Sequence, residues 1–427
     1  MTRKILHAAD IHLDSPLQKL GHYEGAPAEQ IRRASRRALE NMVALAIDDR
    51  VDLVVIAGDL YDGDWPDQNT GLFFVSQARR IVDAGIPLVV IRGNHDAANR
   101  MTSSLPLPKN PDGSEIMMSA DAVDLRSFES LGIAVHGRSF QNRAEFDNLA
   151  AGYPQPLAGM FNLGLLHTSL TGAEGHDPYS PCTPAQLADK QYDYWALGHV
   201  HARGSHEIQG AAPVVFSGNL QGRHIRELGP KGCVVVKIDE RNRCATEFCE
   251  LDVVRWEICR LDVSDLQHPD QVADRVQAWL AQAMPEAGSR LLVIRVELVG
   301  QTDLLHLLRR GLSSLQASLQ AIAVTYGRDQ VWLESVKLRC TMPADGRPAV
   351  DLEGPLESLT AVIDQMKREE GLHDILVEEL SKLARKLPHE LCGEDPALRL
   401  DDPEWTNELL EAAASEVMGR LQQEAEQ

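Results

Sequence analysis

The sequence predicts a layered α/β fold, followed by a small α+β unit and then a helical region. Three observations carry this. Short apolar runs alternate with amphipathic helical stretches from the start to about residue 220. Near residue 250 the texture changes to longer strand-like runs separated by single helices. Beyond Pro343 only helical periodicity remains. The boundaries implied are 1–250, 251–342 and 343–427.

In order, the strand-like runs of the first part are residues 4–9, 52–57, 87–91, 162–166, 194–197 and 213–216. Helical stretches lie near 29–48 and 69–84, between the early runs. Residues 100–120 are rich in Pro, Gly and Asn and read as a long surface loop. The α+β unit reads as strand 255–261, helix 270–283, strand 291–299, helix 303–320 and strand 330–340. Helices follow at 355–370, 372–386 and 403–425. In the last, Leu410, Ala414, Val417 and Leu421 form one apolar stripe, the face of a helix that packs on its own domain or on a partner.

Composition sets the class. Of 427 residues, 44% are hydrophobic and 25% charged, so a normal core forms and a fibrous or disordered chain is excluded. Seven cysteines are scattered, odd in number and without a Cys-x-x-Cys spacing. That argues against a zinc ribbon or disulfide framework and for free thiols in a reducing cytoplasm. The N-terminal apolar run is too short for a signal peptide, and no stretch reaches the ~18 apolar residues of a membrane span.

Several strand-like runs end in a polar cluster. These are Asp10-Ile-His12, Gly58-Asp59-Leu-Tyr-Asp62, Gly93-Asn94-His95-Asp96, His167, and Gly198-His199-Val-His201. Open α/β sheets place functional groups outside the carboxyl ends of their strands, so five clusters far apart in sequence converge on one spot. Imidazoles, carboxylates and an amide without thiolate form a nitrogen/oxygen ligand set, better suited to Mn or Fe than to structural zinc. Seven ligands are too many for one ion with an open position and suit two ions about 3.5–4 Å apart.

These ordered motifs resemble those of the calcineurin-like metallophosphoesterases, over residues 3–220. The resemblance implies a layered β-sandwich flanked by helices and a two-metal hydrolytic site. Carried over by motif, Asp10, His12 and His201 hold one metal. Asn94, His167 and His199 hold the other, and Asp59 bridges both. His95 matches the catalytic histidine that meets the scissile phosphate. Asp62 matches the carboxylate that orients this histidine in phosphatase relatives and is favoured over Asp96, its rival.

Other segments bear on the substrate. His-Leu-Asp-Ser-Pro at 12–16, the segment 103–110, and Gly-Asn-Leu-Gln-Gly-Arg-His at 218–224 look like the SbcD/YhaO-type DNA repair exonucleases, the YhaO branch most. This likeness implies a Mn-dependent DNA exonuclease or endonuclease. It also implies a DNA-capping domain at 255–342, an SbcC-like coiled-coil ATPase docked on the helices after the core, and dimers. No P-loop segment occurs in this chain. A phosphatase or small-molecule phosphodiesterase with the same site is the alternative. Gly-Asn-His-Asp in place of the Gly-Asn-His-Glu usual in protein phosphatases, and some 200 further residues, argue against it.

Arg223, His224 and Arg226, with Lys231 nearby, form a basic cluster with two open readings. One is DNA phosphate contact beside the site. The other is a solvated strand end paired with Glu227. Arg32, Arg33, Arg36 and Arg37 read as a solvated helix face. Taken alone, the net charge of −21 argues against DNA. It is uneven, however: residues 1–342 carry −8 and residues 343–427 carry −13. Two divalent ions would leave the first part near −4 in the two-ion reading. Distant tail carboxylates are screened over ~8 Å. The expectation is weak DNA binding by this chain alone, strengthened by the ATPase.

Overall fold

The computed structural model describes residues 2–15, 27–62, 68–97, 106–170, 178–206, 212–327 and 329–343, with Lys382. The three expected C-terminal helices, the stripe from Leu410 to Leu421 and the docking surface assigned to them lie outside the described residues.

Two sheets are stacked as a sandwich with helices outside. The first contains β1 (Arg3–Ala8), β2 (Leu53–Ala57) and β3 (Leu88–Ile91), all parallel. The second is built from β4 (Asp124–Phe128), β5 (Ile133–Gly137), β6 (Phe161–His167), β7 (Tyr194–Gly198), β8 (Gly204–His206) and β9 (Val214–Phe216). Its strands β5, β6, β7 and β9 are parallel, and β4 and β8 close its two edges antiparallel. The chain then returns to the first sheet as β10 (Gly232–Ile238) and β11 (Cys244–Glu250), giving the order β11-β10-β1-β2-β3. This hairpin was not expected from the sequence.

Successive side chains of a strand point to opposite faces, and the core follows that rule. Ile5, Leu53, Val55 and Val89 meet Ile133, Val135, Leu163 and Leu165 between the sheets. Their neighbours Leu6, Val54, Ile56 and Leu88 face outward onto helices. Those helices are α1 (Ala28–Arg32), α2 (Ala34–Asp48) and α3 (Gln68–Asp83). The single helix expected at 29–48 is thus two, meeting at Arg33. Ala38, Leu39, Met42, Val43 and Ala46 give α2 its buried face. Of the four arginines here, Arg32, Arg33 and Arg37 are exposed, while Arg36 pairs with Asp14.

The described part of the loop expected at 100–120 is not purely surface. Val90 donates to the Ile116 carbonyl and the Met118 N–H donates to the Val90 carbonyl, so this segment runs along the free edge of β3. The Asn110 side chain accepts from the Leu88 N–H and donates to its carbonyl. An unpaired parallel edge is a liability, and here a loop covers it. Ile116 and Met118 are fully buried in consequence.

The remaining described chain forms a three-stranded sheet of β12 (Val254–Asp262), β13 (Leu291–Gln301) and β14 (Val331–Thr341). Helices Gln271–Ala287, Leu305–Arg310 and Leu312–Gly327 connect them. Within it Arg295 binds both oxygens of Glu334, at 2.8 and 2.6 Å. By internal contacts the chain divides into two units, with Met1–Cys259, Val276–Val296 and Leu319–Ser335 in the first. Among the described residues no helix is long and apolar enough to cross a membrane.

Candidate metal centre

The carboxyl ends of β1, β2, β3, β6 and β7 deliver the polar clusters to one place. The turns after β1 and β2 are tied together first. Asp10 N–H donates to the Gly58 carbonyl, His12 to Asp59 and Leu13 to Leu60, at 3.0, 3.0 and 2.8 Å. To bend this sharply the backbone enters the left-handed region at Asp10 (φ 50°), His12 (44°), Asp59 (53°) and His199 (100°). Such positions cost about 1–3 kcal/mol each and persist where surrounding bonds over-determine them. Asp10 shows how. Its two carboxylate oxygens accept the His199 N–H at 3.0 and 3.1 Å, joining the β1 and β7 ends.

Three groups of ligand atoms result among the described residues, each within 4.8 Å: Asp10, His12 and His201; Asp59, His167 and His199; and His12, Asp62 and His95, which shares His12 with the first. Asp59 Oδ2 stands 3.4 Å from His167 Nε2 and 3.8 Å from His12 Nε2, between the first two groups. Asn94 Oδ1 lies 3.0 Å from His167 Nε2. Asp10, His12, Asp59, Asn94 and His167 are at most 5% exposed. Close approach needs Gly93, where a Cβ would sit 2.3 Å from Asp59 Oδ1 and 2.7 Å from His167 Cε1.

Tautomers follow from the partners. His167 Nδ1 faces the Ala57 carbonyl at 2.8 Å, and a carbonyl only accepts, so Nδ1 carries a proton. Its Nε2 then turns toward two oxygens, those of Asn94 and Asp59. His201 Nδ1 likewise meets Glu227 Oε1 at 2.7 Å, leaving its Nε2 to face His12 Nε2 at 3.1 Å. Lone pairs gathered this way call for a cation. The 3.1 Å separation also matches the ~3 Å edge between ligands ~2.1 Å from one ion.

The electrostatics agree. Burial alone would lower the His167 pKa, but Asp59 and Asp10 outweigh it and raise it to about 9. The site draws positive charge inward even where burial resists it. At Asp59 burial pushes the pKa up, yet His167, His12 and His95 hold it well below the usual carboxylate range. His12 is lowered to about 3, by burial first and by Arg223 second, which keeps its ring neutral and its nitrogen available. The donor set therefore fits two divalent ions, with Asp10, His12 and His201 for one, Asn94, His167 and His199 for the other, and Asp59 between.

His95 lies outside the first two groups. Its Nδ1 is 3.0 Å from Asp62 Oδ1, and it is about 30% exposed in its side chain. Burial disfavours its charged form, but Asp62, Asp59 and Asp96 together raise its pKa. Asp96 is engaged elsewhere, because its oxygens accept the Leu60, Tyr61 and Gly93 N–H groups. It braces the turns after β2 and β3, and the carboxylate placed on the His95 ring is Asp62.

The basic cluster divides. His224 and Arg226 are exposed. Arg223 turns inward, with its side chain 16% exposed and Nη2 3.0 Å from Glu227 Oε1. From the sequence Glu227 is only that partner; its main contact, the carboxylate–His201 bond, is not visible there. Glu227 also accepts from Asn219 Nδ2 and the Arg223 N–H, at 3.0 and 2.7 Å. Burial pushes its pKa up, but His201 and Arg223 hold it far below the usual carboxylate range. A carboxylate behind a ligating histidine recurs in metal sites, and no local spacing announces it.

Residues 3–203 match the family described as calcineurin-like phosphoesterase, and residues 256–341 match the middle domain of metallophosphoesterase YhaO. The chain carries a calcineurin-like metallophosphoesterase domain and is YhaO-like. The chain is 34% identical to the metallophosphoesterase YhaO of Bacillus subtilis (strain 168) over 266 residues, 62% of this chain and 64% of that protein. It is 24% identical over 276 residues to the DNA double-strand break repair protein Mre11 of Sulfurisphaera tokodaii, covering 62% of this chain and 67% of that one. With the Mre11 of Methanopyrus kandleri the identity is 25% over 300 residues, 64% of this chain and 62% of that. The chain thus spans just under two thirds of the YhaO relative's length.

Proposed function

We propose that this metallophosphoesterase is a Mn-dependent DNA nuclease of double-strand-break repair, acting with an SbcC-like coiled-coil ATPase in the cytoplasm. The observation that carries the hydrolytic part is the pairing of two ligand groups with an adjoining His95–Asp62 couple. The likeness to proteins named for DNA double-strand break repair supports the substrate. Bound divalent ions would supply Lewis-acid activation of a water and of the phosphoryl oxygens. Asp10, His12, His201, Asn94, His167, His199 and Asp59 would hold them. With Nδ1 against Asp62, His95 presents its other ring nitrogen to the leaving oxygen and protonates it as general acid. Asp62 keeps that ring oriented. His224 and Arg226, exposed beside the site, would meet DNA phosphates. The segment after residue 343, expected from its sequence to be helical, would dock the ATPase.

The test is cleavage of linear duplex DNA with Mn, with and without chelator, beside bis-p-nitrophenyl phosphate. Chelator-sensitive DNA cleavage is expected, weak for the chain alone and stronger with the ATPase. Turnover of the small ester with DNA left intact, even with the ATPase added, overturns the reading.

A further inference from the structure

The guanidinium of Arg223 joins the two carboxylates that stand behind the site's histidines. Its Nη2 is 3.0 Å from Glu227 Oε1 and 3.3 Å from His201 Nδ1, and its Nη1 is 3.7 Å from Asp62 Oδ2. Glu227 holds His201 through Nδ1, and Asp62 holds His95 through Nδ1. Arg223 therefore lies on the Nδ1 side of both rings, away from the nitrogens that serve metal and substrate. Asp62 uses its two oxygens differently. Oδ2 accepts from Ser15 Oγ and faces the Arg223 guanidinium at 3.7 Å, while Oδ1 faces His95, with His12 Nδ1 at 3.5 Å. Without Arg223, Ser15 Oγ alone among the described residues would steady Oδ2. Asp62 would then be free to rotate between His12 and His95, and it and Glu227 would lose their shared counter-ion. Buried carboxylates that share one cation lean on it strongly. Arg223 also keeps a buried Nε–H without an acceptor among the described residues, a cost that an apolar residue in its place would not carry.

We propose that Arg223 is a positioning residue of the acid half of the site: it fixes Asp62 so that Asp62 fixes His95, and it couples this pair to the Glu227–His201 pair. This rests on the phosphodiesterase reading but not on DNA as substrate. It assigns to Arg223 a role other than contact with DNA phosphate.

The experiment compares Arg223→Gln, Arg223→Lys and His95→Ala in the full chain with Mn. One substrate is a dinucleoside phosphate, whose alkoxide leaving group needs a proton. The other is bis-p-nitrophenyl phosphate, whose phenolate does not. For Arg223→Gln we expect kcat on the dinucleoside phosphate to fall ~10²-fold, as for His95→Ala, with KM within about threefold. On the aryl ester kcat should fall no more than about threefold, with metal content unchanged. Lysine keeps the charge without the planar fork and should recover only part of the loss. A raised KM with unchanged kcat, together with a salt slope on DNA reduced by about one, identifies a phosphate contact and overturns the proposal. Equal losses on both substrates with a lower Tm identify a structural role and overturn it as well. Independently of turnover, the downfield Nδ1–H proton resonance of His95, assigned by its loss in His95→Ala, should weaken or move in Arg223→Gln loaded with magnesium. Its persistence unchanged also overturns the proposal. If DNA resists the wild-type chain but the split between the small esters holds, the substrate reading fails and the positioning role stands.

Discussion

The inner and outer halves of the metal centre are held by different means. The inner group of Asp59, His167 and His199 is buried, and main-chain atoms orient two of its members. His167 is fixed by the Ala57 carbonyl, and Asp59 Oδ1 accepts the His95 N–H at 3.0 Å. His201 of the outer group, and His95 beside it, are held by side-chain carboxylates at 2.7 and 3.0 Å, Glu227 on His201 and Asp62 on His95. Those two rings are about 21% and 30% exposed. A main-chain acceptor cannot be exchanged by mutation, whereas a carboxylate can be removed alone. The difference teaches that Asp59 and His167 are held by the fold itself, whereas His201 and His95 are held by groups that can be exchanged, as suits the side that meets substrate.

The largest expected effect tests the centre of the inner group. Asp59→Asn removes the charge that faces both groups, and we predict loss of both ions by elemental analysis. Retention of even one ion at full occupancy would show that the groups are independent. His95→Ala comes next. Both metals should stay, while turnover on alkyl phosphodiesters falls at least ~10²-fold, the usual general-acid contribution. Metal loss in that variant would make His95 a ligand and erase the distinction between the halves. Glu227→Gln should be milder. It keeps a hydrogen-bond acceptor for His201 but removes the charge, and metal affinity should drop ~10–100-fold, the range for such supporting groups. A titration of metal-free protein checks this. A loss confined to one of the two ions sharpens the comparison, and equal loss of both breaks it.

Much of this centre is legible in the sequence, because ligands at strand ends leave short motifs in a fixed order. Asp10, His12, Asp59, Asn94, His95, His167, His199 and His201 all fall on such ends, and the stacking of the two sheets brings them together. What supports them is less legible. Glu227 lies 26 residues from His201 along the chain, and no periodicity links a carboxylate to a ring across that distance. The left-handed backbone at Asp10, His12 and Asp59 is imposed by bonds between turns, which local propensity does not encode. The same holds for the fold. Residues 106–120 read as loop because they are rich in breakers, yet hydrogen bonds to Val90 carry Ile116 and Met118 into the core.

His7 supplies the smallest and cleanest contrast, a buried histidine with no nitrogen left for a metal. It sits in β1, three residues before Asp10, and sequence reading passed over it. Its Nε2 faces the Leu197 carbonyl at 3.2 Å and so carries the proton. Its Nδ1 accepts from the Tyr194 hydroxyl at 3.0 Å. Burial lowers its pKa to about 3, against the opposing pull of the Leu197 carbonyl. Above pH 6.5 the ring is neutral folded and unfolded, and it contributes no pH dependence. Below 6.5 the unfolded chain takes up a proton that the fold refuses, so stability is lost as pH falls toward 3. At pH 5 the loss is about 2 kcal/mol, from ~1.4 kcal/mol per pH unit. His7→Gln removes the titrating group, so between pH 7.5 and pH 5 it should lose about 2 kcal/mol less stability than wild type. Urea unfolding of the metal-free proteins measures this, and any lost packing shifts both pH values alike. Equal pH slopes for the two proteins would mean that the sandwich admits a proton at His7. The line between histidines closed by the fold and those left open for ions would then have to be redrawn.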